Sequence, residues 1–295
     1  MIEAFIDTLE TFPRGLAFVG LGLVVLVIAK LARDIFTPYR IDDEVTKRNN
    51  LAVAVRLSGY FIGVILVFLG ALYTPLTLIV ADGLGFDRDY AEDLLRVFLY
   101  SLAGIGALNL VRILMNRLIL YRFDIEKEVV EGQNVGSGAA EFGMYVATGL
   151  LIAGAVSGQG GGPDTAAAFF GMGLILLVGF SLFYQLTTSF DIHAEIENRN
   201  TAVGIALGGN LIGIGIVTFK AVFGDFDGWS PGIASFLVFG VIGFGLLYLM
   251  RVMIDKLLLP TVSTTQSVSV ERNLGVAYIE SAVVISSALI LFFAI

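Results

Sequence analysis

Phe190-Asp191-Ile192-His193-Ala194-Glu195-Ile196, closed by Asn200-Thr201-Ala202-Val203-Gly204, decides how the whole chain is read. The pattern returns as Phe123-Asp124-Ile125-Glu126-Lys127-Glu128-Val129 before Asn134-Val135-Gly136-Ser137-Gly138. It returns again as Tyr39-Arg40-Ile41-Asp42-Asp43-Glu44-Val45 before Asn50-Leu51-Ala52-Val53-Ala54. A worn fourth copy keeps only Asn273-Leu274-Gly275-Val276-Ala277. A long apolar segment flanks every copy on each side. Eight such segments are predicted, at about 14–35, 51–76, 95–119, 135–157, 166–187, 201–223, 231–257 and 274–295, each long enough to cross roughly 30 Å of hydrocarbon as a helix. The expected fold is therefore all-α. It is a polytopic transmembrane bundle of eight helices, built from four two-helix repeats.

Composition agrees. Hydrophobic residues make up 57% of the 295, charged residues only 15%, and mean hydropathy is +0.87, so long apolar runs and not one large soluble core account for the chain. The 35 glycines suit helices that approach closely in lipid. There is no cysteine, which excludes disulfides, thiolate catalysis and Cys-ligated metals. The single histidine, His193, reads as a solvated loop side chain; no metal site and no cofactor are expected. A net charge of −8 without any long basic run argues against nucleic acid. Glu3, Asp7 and Glu10 precede the first apolar run, so it reads as a retained span and not a signal peptide.

Alternating spans put all four motif loops on one side. Of the 18 Lys and Arg residues, all but Arg14, Arg88, Arg96 and Lys220 fall on that side. The positive-inside rule then makes the motif loops cytoplasmic and both termini external. The glycine-rich stretch Ser157–Asp164 reads as a flexible hinge or connector between residues 1–157 and 158–295. These are expected to be parallel four-helix halves, because copies two and four share a register of their own. Arg112, Asn116 and Arg117 precede Asn134 by the spacing at which Arg251, Asp255 and Lys256 precede Asn273; Glu141 and Glu280 follow their asparagines at one offset.

Each repeated asparagine (Asn50, Asn134, Asn200, Asn273) ends a polar stretch just before an apolar helix, which is an N-cap position. Small residues follow at Gly59/Gly143/Gly209/Ala282 and Gly63/Ala147/Gly213/Ser286, so the even-numbered spans are expected to form the inner layer. The loop segments bearing Glu44, Asp124, Glu128, Asp191 and Glu195 read as short amphipathic helices or turns at the membrane surface. Glu141 and Glu280 sit about 10 Å inside their helices, with Arg112 and Arg251 at similar depth one helix earlier. An ionised group at such depth is costly unless paired, so Glu141–Arg112 and Glu280–Arg251 pairs within each hairpin are expected. Such pairs either fix helix register or line a polar path that Arg56, Tyr60, Asn210 and Gln185 would extend.

The motif, its paired spans and its tandem copies resemble the domain-of-unknown-function 350 family, the YjfL-like bacterial inner-membrane proteins. Copy three carries the resemblance best, through Phe190, Asp191, Ile192, Glu195, Asn200, Ala202 and Gly204. Copy one has Arg40 where the pattern has Asp, and copy four lacks the acidic half. The resemblance implies a multi-pass inner-membrane protein and links to polyamine or membrane-stress systems; it implies no activity. Two functions stand at this point: an ion or small-solute transporter or channel, and a scaffold whose motif loops recruit a cytosolic partner, with homo-oligomers compatible with either. An enzyme is the weaker expectation, since no HExxH, Gly-x-Ser-x-Gly, Cys/His pair or Walker loop is present.

Overall fold

The computed structural model describes residues 2–82, 88–257 and 263–294, and all their regular structure is helical. Eight helices are long and apolar enough to span a membrane. They are α1 (Ile2–Ile35), α3 (Leu51–Asp82), α4 (Arg88–Leu118), α6 (Val135–Val156), α7 (Pro163–Thr187), α9 (Thr201–Val222), α10 (Trp229–Leu257) and α12 (Leu274–Ala294). Four six-residue helices lie between the members of each pair: α2 (Ile41–Thr46), α5 (Ile125–Val130), α8 (Ile192–Glu197) and α11 (Thr264–Ser269). The chain is thus four copies of long helix, short helix, long helix.

The second long helix of each copy forms the inner layer. α3 packs on α6, α6 on α9 and α9 on α12, in a row. Burial follows the row: 78% of the α6 span and 83% of the α9 span are inside, against 17% of α7. Glycine lets the row close up. A Cβ on Gly204 would lie 2.1 Å from the Gly136 oxygen, and one on Gly143 would lie 2.4 Å from the Gly208 Cα, so α6 and α9 touch backbone to backbone. Gly59 meets Phe142 and Gly209 meets Ser281 in the same way along the row. The outer helices straddle the joints. α4 packs on α3 and α6, α7 on α6 and α9, and α10 on α9 and α12. α1 packs on α3 and α4 only among these larger contacts.

Two features differ from the sequence reading. The stretch Ser157–Gly162 is a built link, not a free hinge. Gln159 N–H donates to Asp225 at 2.7 Å, Phe226 N–H donates to the Gln159 carbonyl at 2.8 Å, and a Cβ on Gly158 (φ +98°) would strike the Gly224 oxygen at 2.2 Å. The helices also reach further than predicted on that side, since α3 continues past Pro75 to Asp82 and α4 begins at Arg88. Part of the predicted fourth motif loop, residues 258–262, lies outside the described residues.

Candidate functional site

The repeated motif builds a staple before it builds any site. Asn134 Oδ1 accepts from Ser137 N–H at 3.3 Å and so caps α6. Its amide donates to Glu128 of its own short helix at 3.0 Å and to the Ile196 carbonyl of α8, in the next repeat, at 2.7 Å. Asn50 does the same with Val53, Glu44 and the Val129 and Val130 carbonyls of α5. Asn200 does it with Val203, Glu195 and the Val268 and Ser269 carbonyls of α11. All three are buried. Asn273 caps α12 through Val276 N–H but is exposed, and its amide meets no such carbonyl among the described residues.

The residue just before each asparagine is left-handed without being glycine: Asn49, Gln133, Arg199 and Arg272 have φ of 51°, 50°, 60° and 53°. This turn ends each short helix, and the asparagine's own N–H returns to a carbonyl five or six residues back, as from Asn134 to Glu128 at 2.9 Å. Copy four, worn in sequence, keeps the left-handed turn and the asparagine cap, with Ser263 capping α11. Asp124 and Asp191 cap α5 and α8, and Asp191 also pairs with Arg122. Burial would raise the Asp191 carboxyl, but the Ala194 amide, the largest influence, and Arg122 together hold it below the usual range. The short helices turn their apolar residues into protein, since Ile41, Ile125, Val129, Ile192, Ile196 and Val268 are all core. His193 is likewise buried and not solvated: its Nε2 sits 2.7 Å from the Ile119 carbonyl, and burial, with Arg122 nearby, holds its pKa below 6.5.

Above the staples, in the first half, lies a cluster of charge. Glu141 on α6 is 0% exposed. Its carboxylate accepts from Arg56 Nη1 at 3.0 Å and from Asn116 Nδ2 at 3.1 Å. The expected partner was Arg112; Arg112 instead donates to Glu126 of α5 at 2.8 Å. The reason is the layering. Arg56 and Glu141 stand on adjacent inner helices at nearly one depth, whereas Arg112 on the outer α4 reaches the short helix beneath it. Arg56 also donates to Glu126 at 3.0 Å and to the Tyr39 hydroxyl. Burial would raise the Glu126 pKa, yet the charges of Arg56, Arg112 and Arg33 hold it below the ordinary value. Burial also pushes the Tyr39 hydroxyl up to about 12, so it stays protonated. A cleft of about 400 Å³ opens beside the cluster on the motif side, lined by Arg112, Asn116, Arg117, Tyr121, Asp124 and Glu126.

Arg33 completes the cluster and was missed as a site residue. It is 2% exposed, lies 5.9 Å from the ring centres of Tyr60 and Tyr145, and neither Nη1 nor Nη2 has a hydrogen-bond partner. Arg112 Nε, Asn116 Oδ1 and the Tyr145 hydroxyl are also buried without partners. The signal in the sequence was Arg33 at the end of the first span, where it read as one more inside charge. Glu126 and Tyr39 were equally visible but read as motif surface.

Two of the cluster's positions change in the second half. Ala206 stands where Arg56 does, and Thr265 where Glu126 does. Asn210 does not join the charged cluster; it donates to the Ala206 carbonyl at 2.8 Å and to the Tyr184 hydroxyl at 3.3 Å, beside a cavity of only about 40 Å³. Gln185 donates to the Ile119 carbonyl at 3.0 Å and Tyr60 to the Ala29 carbonyl at 3.1 Å. Glu280 is buried on α12; the side chain of Arg251, its expected partner, lies outside the described residues.

Eight apolar spans, backbone-close packing and a buried charge cluster define a polytopic α-helical membrane protein. The chain belongs to the family described as Domain of Unknown Function (DUF350), which matches residues 7–156 and again 160–295. It is similar to a UPF0719 transmembrane protein of Aquifex aeolicus (strain VF5), 22% identical over 276 residues, covering 92% of this chain and 96% of that protein. No solved structure matches.

Proposed function

We propose that this protein transports an ion or small solute across a bacterial inner membrane, and that the first-half cluster is its binding site, with the motif side cytoplasmic. The observation that carries this is Arg33: a guanidinium with both terminal nitrogens unbonded at 2% exposure. Leaving such a group buried and unsatisfied costs roughly several kcal/mol, a penalty that a bound ligand would remove. The charge count favours an anion. Arg33, Arg56 and Arg112 stand against Glu126 and Glu141, three positive groups less two negative, which leaves the cluster one net positive charge. The adjoining cleft supplies an entry from the motif side.

The alternative, a scaffold that recruits a cytosolic partner through its motif loops, has less to work with. Glu44, Glu128 and Glu195 are spent on the asparagines, and Asp124 and Asp191 on helix caps.

The test uses purified protein in liposomes with chloride and with inorganic phosphate. One of these should raise the thermal midpoint of the wild type, and proteoliposomes should pass it faster than empty vesicles. Arg33→Gln should lose both effects, while Arg33→Lys, which keeps the charge, should retain part of them. If no anion shifts the midpoint and flux equals that of empty vesicles, the reading is wrong.

A further inference from the structure

Among the described residues, α3 and α12 each have an inner-layer neighbour on one side only. We infer that a second copy of this chain continues the row of inner helices, with α12 of one copy packing against α3 of the next. This is independent of the proposed function and rests on three features of the joints inside the chain.

The first is the helix faces. α6 presents Gly136, Gly143 and Ala147 to α9, which answers with Gly204, Gly208 and Gly215. By the repeat register the same face on α12 is Gly275, Ala282 and Ser286, and all three are exposed. The answering face on α3 is Ala54, Ser58 and Ile65, on the side turned away from α6, where Ser58 is exposed. Each end of the row therefore carries the half-joint that the other end lacks.

The second is the staple. Asn50, Asn134 and Asn200 each donate to carbonyls at the end of the next repeat's short helix. Asn273 meets no such carbonyl among the described residues, and it is exposed. The matching carbonyls, Val45 and Thr46 at the end of α2, receive no asparagine amide among the described residues. The third is the outer layer. α4, α7 and α10 each straddle two consecutive inner helices, whereas α1 packs closely on α3 alone of the inner helices among the described residues. A neighbour's α12 would fill the other flank of α1, against exposed Val19, Leu23 and Val27.

The fit has a definite limit. A Cβ on Gly143 already collides with Gly208, and the terminal joint has Ala282 and Ser58 at those positions. The register carries over, but the helices must stand further apart than α6 and α9 do. Because the two faces differ, the contact is heterologous, and copies so joined share one orientation in the membrane and form a ring or a row.

The absence of native cysteine allows a clean test. Ser58→Cys and Ala282→Cys are made in separate, differently tagged chains, co-expressed, and treated in native membranes with a short thiol cross-linker. The expected result is a covalent heterodimer from the mixed membranes and no cross-linked product from either variant alone. A single chain carrying both changes should give a ladder of multimers. Self-cross-linking of Ala282→Cys alone would mean a symmetric, back-to-back contact and overturn the inference. No cross-linking in any membrane would mean that lipid covers both faces, which overturns it equally.

Discussion

Glu141 is held by Arg56 and Asn116, and Arg56 is shared with Glu126 and Tyr39. Removing one partner of a fully buried pair strands a charge, so Arg56→Gln should cost about 3–5 kcal/mol. Arg112→Gln should cost only about 1 kcal/mol, since Glu126 keeps Arg56 and its side chain is 29% exposed. In a double-mutant cycle read by thermal unfolding in detergent, Arg56→Gln with Glu141→Gln should lose less than the two singles summed; strict additivity would mean the two do not interact. His193 gives a pH prediction. Its folded pKa is depressed, so the unfolded chain binds the extra proton. Stability is full above about pH 6.5 and declines as pH falls through the lower folded value. His193→Gln should flatten that decline, measured as thermal midpoint between neutral and mildly acidic pH; an unchanged slope would assign it to other groups. Much at this scale was legible. The depth of Glu141 and the capping position of the asparagines follow from spacing alone. The partner of Glu141 did not, because it lies 85 residues away on another repeat, and the rule of pairing within a hairpin ignores which helices form the inner layer. Equal depth of Arg56 and Glu141 past their asparagines was the available clue.

The short helix with its asparagine is the working element. Asn134→Ala removes a cap worth about 1 kcal/mol and the cross-repeat bond to the Ile196 carbonyl, which keeps its bond from Arg199 N–H, for a total of about 2 kcal/mol. Asn273→Ala loses the cap alone and should cost about 1 kcal/mol. Equal losses at the two sites would show that the cross-repeat bond contributes nothing. The left-handed turn before each asparagine offers the reverse experiment. Gln133→Gly relieves a conformation that costs a side-chain-bearing residue about 1 kcal/mol, so the thermal midpoint should rise. None of this turn was readable from the sequence, because Asn49, Gln133, Arg199 and Arg272 share no residue type that announces positive φ. The buried state of the short helices was misread for a related reason. An apolar stripe of Ile and Val serves a membrane surface and a protein groove alike.

For the whole molecule, the repeat grammar foretold the eight spans and the inner layer of small residues. It could not foretell that the halves diverge chemically, since Ala206 and Thr265 are unremarkable until Arg56 and Glu126 are seen together. We expect the backbones of the halves to match even so. In an experimental structure Asn50 should fall on Asn200 and Asn134 on Asn273 when residues 1–157 are laid on 158–295, and an inverted relation would refute the repeat alignment. Cysteines placed at Thr46 and Asn198 should be labelled only from the cytoplasmic side; labelling of intact cells from outside would reverse the proposed orientation.

The asparagine staple also has a direction in time. Asn50 finds its carbonyl partners 79 and 80 residues later, Asn134 at 62, and Asn200 at 68 and 69. A ribosome delivers those residues in order, so no repeat can be locked until the short helix of its successor has left the exit tunnel. Locking therefore advances one repeat behind insertion, and a nascent chain released early always ends on an open latch. Protease pulses on chains arrested at successive lengths should show protection of each repeat arriving one repeat late.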